Sequence, residues 1–148
     1  MRQKRVLSLA LAAALALSLS VPAGAAGGSS FSDVSDRTTA VNADVLRLMG
    51  VVDGVGGNRF APNSETTRAQ LVTILYRLEG QPAVSGDLPF TNVESGTWYT
   101  DAILWAAQNN IVNGVSDTEF APGDDLTREQ LVTILYRYAE TKGYDVSA

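Results

Sequence analysis

The sequence predicts an all-α fold in which two tandem helix–loop–helix repeats pack as a small helical bundle. Three observations support this prediction. A segment of the chain recurs after sixty residues, and apolar side chains in both copies follow helical spacing. Strand signals are sparse, because the connecting segments are rich in Gly and Pro.

The duplication is clearest in the second half of each copy. Residues 51–80 and 111–140 share sixteen identities in thirty aligned positions, where unrelated sequences would share about two. Upstream, the segment 31–34 corresponds to the segment 90–93. The predicted organisation is a signal peptide at 1–25, a polar lead at 26–30, a first repeat at 31–81, a linker at 82–89, a second repeat at 90–142 and a tail at 143–148.

The first 25 residues have the composition of a secretory signal peptide. A basic start precedes an apolar run at 6–21, and a small-residue cleavage site follows at 23–25. A membrane-spanning helix is the less favoured alternative, because the run is shorter than the ~20 residues needed to cross a bilayer. Removing the three basic residues of this segment from the eleven in the chain leaves eight Lys and Arg against sixteen Asp and Glu.

Composition excludes several classes of function. The chain has no Cys and no His, which rules out Cys/His zinc sites, disulfides, a Ser-His-Asp triad and axial haem ligation; we predict no metal and no cofactor. A sequence pI near 4.6 argues against a nucleic-acid partner, since phosphate binding needs clustered Lys and Arg. Asp117, Asp124 and Asp125 do not have the spacing of a calcium loop. After signal cleavage we expect no membrane segment.

The first helix of each repeat is predicted from a short apolar stripe. In the first repeat Val45, Leu48 and Met49 form the stripe, which ends before Gly50, a residue typical of helix C-termini. The stripe of the second repeat ends before Asn110 and consists of Ala102, Ile103 and Ala106.

The loop between the helices carries Phe-Ala-Pro in both copies. We expect Phe60 and Phe120 to anchor their loops in the core, while the prolines that follow fix the approach to the next helix. Gly54 and Gly114 most simply supply turn conformations that other residues avoid; the alternative is that they let a ligand approach the backbone.

The second helix of each repeat has a predicted apolar face and a predicted start. The apolar residues recur at i, i+3, i+4 and i+7. Thr67 with Gln70, and Thr127 with Gln130, have the spacing of a capping box. The apolar faces consist of Leu71, Ile74, Leu75 and Leu78 in the first repeat and of Leu131, Ile134, Leu135 and Tyr138 in the second.

Taken in order, these motifs resemble the S-layer homology domain family. A Phe-x-Asp-Val opening, a Gly-containing turn, a Phe-x-Pro loop and a Thr-Arg-Ala-Glu-like helix start recur in both repeats. The resemblance implies a helical module that holds exported bacterial proteins on the cell wall by binding secondary cell-wall polymers, commonly pyruvylated glycans, without covalent attachment. It also implies repeats packed about a pseudo-threefold axis, here in partial form, with binding grooves between neighbours.

The expected ligand contacts lie at the start of the second helix. The family's motif arginine corresponds to Arg68 and Arg128, and each lies beside unpaired helix amides, which together suit a carboxylate or phosphate. The alternative is that the arginines pair with neighbouring carboxylates, such as Glu65, Asp124 or Asp125. The predicted ligand-binding residues are Arg68, Arg128, Thr67, Thr127, Gln70, Gln130, Gly54, Gly114 and Trp98.

The aromatic residues of the second repeat have two interpretations. Trp98 could stack on a sugar ring; the alternative is that Trp98 or Tyr99 packs against the first helix. Trp105 lies on that helix and is expected to contact the other repeat.

The chain departs from the family pattern in two respects. Gln70 and Gln130 replace the motif glutamate, and Glu129 replaces the alanine in the second copy. Two repeats are visible where the family typically uses three. Either the chain forms a homo-oligomer, or it is a truncated or divergent relative, or two repeats suffice.

The predicted function is a non-catalytic anchoring module at the cell surface. Its expected partner is an anionic secondary cell-wall polymer or a peptidoglycan-linked glycan. The alternative is a structural, self-assembling surface protein whose third repeat comes from another chain. An enzyme is the least favoured, because no Asp or Glu is identical between the aligned copies and paired catalytic carboxylates would have been duplicated.

Overall fold

A computed structural model describes residues 29–147, and within that range the structure is helical. It contains no strand there, so the all-α prediction is confirmed. None of the helices in this range is long and apolar enough to cross a bilayer. The predicted signal peptide and the start of the polar lead lie outside the described residues. The helices are α1 (Arg37–Leu48), α2 (Arg68–Leu78), α3 (Thr100–Gln108) and α4 (Arg128–Thr141).

The chain divides into two compact units between Pro62 and Asn63. The N-terminal unit, as described, is residues 29–62 and contains α1 with the Phe-Ala-Pro loop that follows it. The C-terminal unit, residues 63–147, contains α2, α3 and α4. The division thus falls inside the first repeat, so that the second helix of that repeat belongs to the C-terminal unit.

The N-terminal unit is built around Phe31, Val34 and Ala43, which are buried together. Helix α1 begins after Asp36, whose carboxylate accepts the Thr39 N–H at 2.7 Å, and such a cap satisfies one of the amides left over at a helix start. It ends at the predicted place, with Gly50 at a φ of +71°. The predicted apolar stripe is not the buried face of α1. Leu48 and Met49 are exposed, because the covered side of the helix is the side that faces Phe31.

An acceptor side chain holds the Phe-Ala-Pro loop of each repeat. The Asp33 carboxylate accepts the Phe60 and Ala61 N–H groups, each at 2.8 Å. The pKa of Asp33 is lowered, first by the Phe60 N–H and also by Ala61 and by the charge of Arg59. In the second repeat the Asn92 amide oxygen accepts the Phe120 N–H, also at 2.8 Å. Asn92 thus holds its loop through one backbone N–H and without a charge, where Asp33 accepts two.

The core of the C-terminal unit lies between α2 and α3. Leu71, Val72 and Leu75 pack there with Ile103, and Phe120 of the second loop is fully buried in the same cluster. The loop Phe therefore anchors its loop as predicted. Phe60 is half-buried in the N-terminal unit, where its ring centroid lies 5.3 Å from that of Phe31.

Trp105 joins the two repeats within the C-terminal unit. Its ring centroid lies 5.7 Å from that of Tyr76, which belongs to the second helix of the first repeat. The predicted contact of Trp105 with the other repeat is confirmed. Helix α4 contributes much less to this core, since Ile134 is its buried residue.

Candidate ligand-binding site at the helix N-termini

Both predicted capping boxes are formed. At α2 the Gln70 N–H donates to the Thr67 hydroxyl at 3.3 Å, and the Gln70 side chain accepts the Thr67 N–H at 2.9 Å. At α4 the corresponding distances between Gln130 and Thr127 are 3.1 and 3.3 Å. Each Gln therefore caps as a Glu would, and the Thr and Gln side chains are engaged with their own backbone.

Arg68 is buried, with 4% of its surface exposed. Its Nε donates to the Phe120 carbonyl at 2.8 Å and its Nη2 donates to the Asn113 carbonyl at 3.1 Å. The guanidinium carbon lies 4.6 Å from the centroid of the Phe120 ring, within cation–π range. Burial lowers the pKa of Arg68, while the charge of Asp124 opposes that effect. The partners of Arg68 are thus backbone carbonyls and a ring, and the guanidinium fixes the loop of the second repeat.

Arg128 occupies the same position in the second repeat and has a different environment. Its side chain is exposed, and it has no hydrogen-bond or ion-pair partner among residues 29–147. Within that range, no hydrogen bond or ring contact joins Arg68 or its partners, Phe120 and Asn113, to Arg128 or to Trp98. The two predicted anion contacts are therefore unlike: one guanidinium is occupied, and the other faces solvent at the N-terminus of α4.

The two predicted site glycines are required by the packing of their own loops. A Cβ on Gly54 would overlap the Arg59 carbonyl oxygen and come within 2.7 Å of the Phe31 ring, and its φ is +79°. A Cβ on Gly114 would overlap two carbonyl oxygens of its own loop and come within 2.8 Å of the Phe90 ring. The positive φ of Gly54 matches the turn interpretation, whereas Gly114 has no positive φ and is required by close packing instead. The ligand interpretation of both glycines stays a prediction.

Trp98 is presented to solvent. More than half of its surface is exposed, and its ring meets Tyr99 edge-on with centroids 5.1 Å apart. Tyr99 is half-buried and packs against the core. Of the two aromatic residues, Tyr99 thus supports the fold, and Trp98 offers a ring face that a sugar could cover.

Two acidic residues at equivalent positions of the repeats meet in the structure. Glu65 and Asp125 are sixty residues apart, and a hydrogen bond between their carboxyl groups, together with the charge of Asp125, raises the pKa of Glu65. The backbone of Asp125 also forms an isolated bridge with Thr67. Counting identical residues overlooks this pair, whereas counting similar residues would have found an acid at the same place in both copies.

An open cleft of about 480 Å³ lies beside α3 in the C-terminal unit. Asp87 and Asp101 are among its lining residues, together with Gly86, Thr100 and Leu104. None of the predicted ligand-binding residues lines it. The two carboxylates disfavour an anionic sugar in this cleft, because like charges repel.

Comparison with known proteins identifies a family. A sequence model of the S-layer homology domain matches residues 49–72 and 89–132. The first match runs from the end of α1 into α2, and the second covers α3, the second Phe-Ala-Pro loop and the start of α4. The capped helix starts and the loops are thus the parts of the structure that the family shares.

Individual relatives agree with this match. The chain is 38% identical over 97 residues to a surface-layer 125 kDa protein of Lysinibacillus sphaericus, covering 64% of this chain and 8% of that protein. It is 30% identical over 111 residues to an amylopullulanase of Thermoanaerobacterium thermosulfurigenes, covering 75% of this chain and 6% of that protein. A cellulosome-anchoring protein of Acetivibrio thermocellus is 27% identical over 94 residues, covering 61% and 21%. The chain thus spans a small part of each of these relatives.

Proposed function

The chain belongs to the S-layer homology domain family, and from that membership we propose that it is a non-catalytic module that anchors protein at the bacterial cell surface. Two relatives are by name a surface-layer protein and a cellulosome-anchoring protein, and these names support the proposal. The amylopullulanase aligns over 6% of its length, so its enzymatic name belongs to that whole protein. The proposed location is the cell wall, after export.

The proposed ligand is an anionic secondary cell-wall polysaccharide, and the acidic group is a pyruvyl substituent on its sugars. The observation that supports this ligand is the state of Arg128, an exposed guanidinium without a partner among the described residues, directly after the Thr127 cap. A guanidinium can donate two parallel hydrogen bonds to one carboxylate, and the positive end of a helix adds to the attraction. Because the chain carries a net negative charge, it does not attract an anionic polymer from a distance, and the contact with Arg128 acts through local geometry.

Trp98 is the proposed sugar-stacking residue. Its exposed ring offers an apolar face of the kind that packs against the C–H groups of a pyranose, while Tyr99 supports it from the side. The remaining predicted residues have supporting roles in this proposal. The capping boxes hold the ends of α2 and α4, and Gly54 and Gly114 keep their loops in shape.

Sedimentation with purified cell walls tests the proposal. We expect Arg128→Ala to lose most wall binding, whereas Arg37→Ala, which removes an exposed arginine from the start of α1, keeps it. Both variants should retain the circular dichroism of the parent chain. Full retention of wall binding by folded Arg128→Ala would contradict the Arg128 contact.

The nature of the polymer is tested with the wall itself. Walls whose secondary polymer has been removed by mild acid should no longer retain the chain, and walls that lack only the pyruvyl group should retain it weakly. Undiminished binding to stripped walls would instead identify a peptidoglycan-linked glycan as the partner. A protein that binds neither kind of wall would favour the second candidate function, self-assembly at the surface, which the exposed face of α4 supports.

A further inference from the structure

Helices α2 and α4 carry the same seven residues, Leu-Val-Thr-Ile-Leu-Tyr-Arg, in very different surroundings. In α2 the side chains of Leu71, Val72, Leu75 and Tyr76 are at most 8% exposed. The equivalent residues of α4 are 37% to 62% exposed, and they are Leu131, Val132, Leu135 and Tyr136. One face of α4 therefore repeats a surface that is covered elsewhere in the same chain.

The covering of α2 shows what this surface accepts. Helix α3 packs along it, and Tyr76 meets Trp105 there. At the N-terminal end, Arg68 reaches into the second loop, where the Phe120 and Asn113 carbonyls accept its hydrogen bonds. The cover thus consists of the first helix and the Phe-Ala-Pro loop of the repeat that follows.

The N-terminal unit of this chain offers the same two elements. Helix α1 precedes a loop that matches the second one in geometry: the Val55 N–H donates to the Arg59 carbonyl at 2.8 Å, and the Val115 N–H to the Glu119 carbonyl at 2.7 Å. The loop alanines, Ala61 and Ala121, have φ angles of 57° and 56°. The ring pairs at the base of the loops are 5.3 and 5.5 Å apart. A preformed cover for a helix like α4 therefore exists in residues 29–62.

We propose that the exposed face of α4 is the docking surface for the N-terminal unit of a second copy of this chain. Helix α1 of the second copy packs along Leu131, Val132, Leu135 and Tyr136, and Arg128 reaches into the loop around Phe60. The smallest assembly of copies in which every α4 face is covered in this way is a reciprocal pair, in which the N-terminal unit of each copy packs on α4 of the other.

Charge differences between the copies agree with this pairing. Glu129 stands in α4 where α2 has the small, buried Ala69, so a partner loop must accept a carboxylate at this point. The second loop, residues 113–122, carries Asp117 and Glu119 and no basic residue. The first loop, residues 53–62, carries one acidic residue and Arg59, which is exposed and lies 3.6 Å from the Asp33 carboxylate. The loop of the N-terminal unit thus has the geometry of the second loop and is less acidic, which favours it as the cover for a helix start that carries Glu129.

Docking and the proposed polymer contact exclude each other at Arg128. In the docked pair its guanidinium is withdrawn from solvent as that of Arg68 is, and it is then unavailable to a carboxylate of the polymer. A chain bound through Arg128 to the wall is accordingly a separated copy. The two activities therefore compete for Arg128, and each has its own measurement: mass in solution for docking and retention on walls for polymer binding.

The first test is light scattering coupled to size-exclusion chromatography, on the chain without its predicted signal peptide, residues 26–148. We expect the mass of two copies at high concentration and of one copy after dilution. Val132→Glu, at the most exposed of the four apolar positions, should give a single copy throughout. Val115→Glu introduces the same change at an exposed Val of the second loop, outside the docking surface, and should leave the pair intact. A single copy at every concentration, or a pair that survives Val132→Glu, overturns the proposal.

Cross-linking identifies the surfaces in contact. The chain has no Cys, so one copy can carry Tyr136→Cys and the other Val45→Cys, which lies on α1 at the position of Trp105 on α3. A short bis-maleimide should join these two copies and should fail to join Tyr136→Cys to Val115→Cys. Wall retention of folded Val132→Glu should be unchanged or improved. A pair that cross-links equally at both combinations would place the contact elsewhere and contradict docking on α4.

Discussion

The guanidinium of Arg68 lies over the ring of Phe120 and donates a hydrogen bond to the Phe120 carbonyl at 2.8 Å, across fifty-two residues of sequence. This contact joins the start of the second helix of one repeat to the loop of the next. A family motif residue thus serves as an internal connection in one repeat, while the same residue of the other repeat, Arg128, faces solvent.

Arg68→Ala should destabilise the chain by about 3 kcal/mol, because the buried Phe120 carbonyl and the partly buried Asn113 carbonyl lose a charged donor and the Phe120 ring loses its cover. Arg128→Ala is the matched control and should change the free energy of unfolding by less than about 0.5 kcal/mol, measured by urea unfolding at a concentration where the chain is monomeric. Arg68→Lys should recover only part of the loss, since an ammonium cannot present the planar fork of donors. Equal effects of the two alanine variants would mean that the Arg68 contacts contribute no net stability.

Tyr138→Phe should lower stability by about 1–2 kcal/mol and flatten its dependence on alkaline pH. The Tyr138 hydroxyl donates to the Glu79 carboxylate at 2.6 Å, and Lys142 contacts the same carboxylate at 2.7 Å. Burial first, and then this hydrogen bond, raise the pKa of Tyr138. The pKa of a phenol in the unfolded chain is about 10, so this contribution is complete below about pH 10 and is lost as the pH rises further.

At acid pH, the stability that this cluster contributes depends on the protonation of Glu79. Burial raises its pKa, but hydrogen bonds from Lys142 and Tyr138 outweigh burial, and the net shift is downward. A carboxyl group of this kind contributes stability above its ordinary pKa of 4.5, and that stability is lost as the pH falls through the lower pKa of the folded state. Thermal unfolding of Tyr138→Phe and of the parent chain across both ranges measures the two effects, and parallel curves at high pH would contradict the role given to Tyr138.

Glu65→Gln should stabilise the chain at neutral pH and have little effect near pH 4. The carboxyl group of Asp125 raises the pKa of Glu65 from its ordinary 4.5, so the folded state holds a proton more tightly than the unfolded state does. Stability from this group therefore decreases as the pH rises from about 4.5. The melting temperature at the two pH values measures the effect. If Glu65→Gln instead has a lower melting temperature than the parent chain at neutral pH, the charged Glu65 carboxylate makes a stabilising contact and the prediction is wrong.

Gly114→Ala should cost about 2 kcal/mol or more, because the added methyl group would overlap backbone oxygens that cannot move independently of the loop. Gly123→Ala is the control: a Cβ there meets nothing within 4 Å, so this variant should be neutral or slightly stabilising through the unfolded chain. Chemical denaturation measures both variants. Similar costs at the two positions would contradict the packing argument.

Local signals were sufficient to predict the starts of α2 and α4 and the loops before them. Thr67 and Thr127 cap their helices through the partners that the spacing indicates. Phe120 anchors its loop, and α1 ends before Gly50. Each of these features depends on residues within a few positions of one another or on a single large apolar side chain, and a sequence pattern states such relations directly.

Burial of the apolar faces and the partner of Arg68 were decided by the tertiary structure. The residues from Leu71 to Arg77 recur unchanged from Leu131 to Arg137, so no local pattern could distinguish a covered helix from an exposed one. What differs is the neighbour: α3 and the second loop pack on α2, and the C-terminal unit provides no such cover for α4. The sequence by itself determined two capped amphipathic helices of one family, whereas contacts between distant residues determined which guanidinium is buried, because hydrophobic burial depends on what a face meets rather than on the face alone.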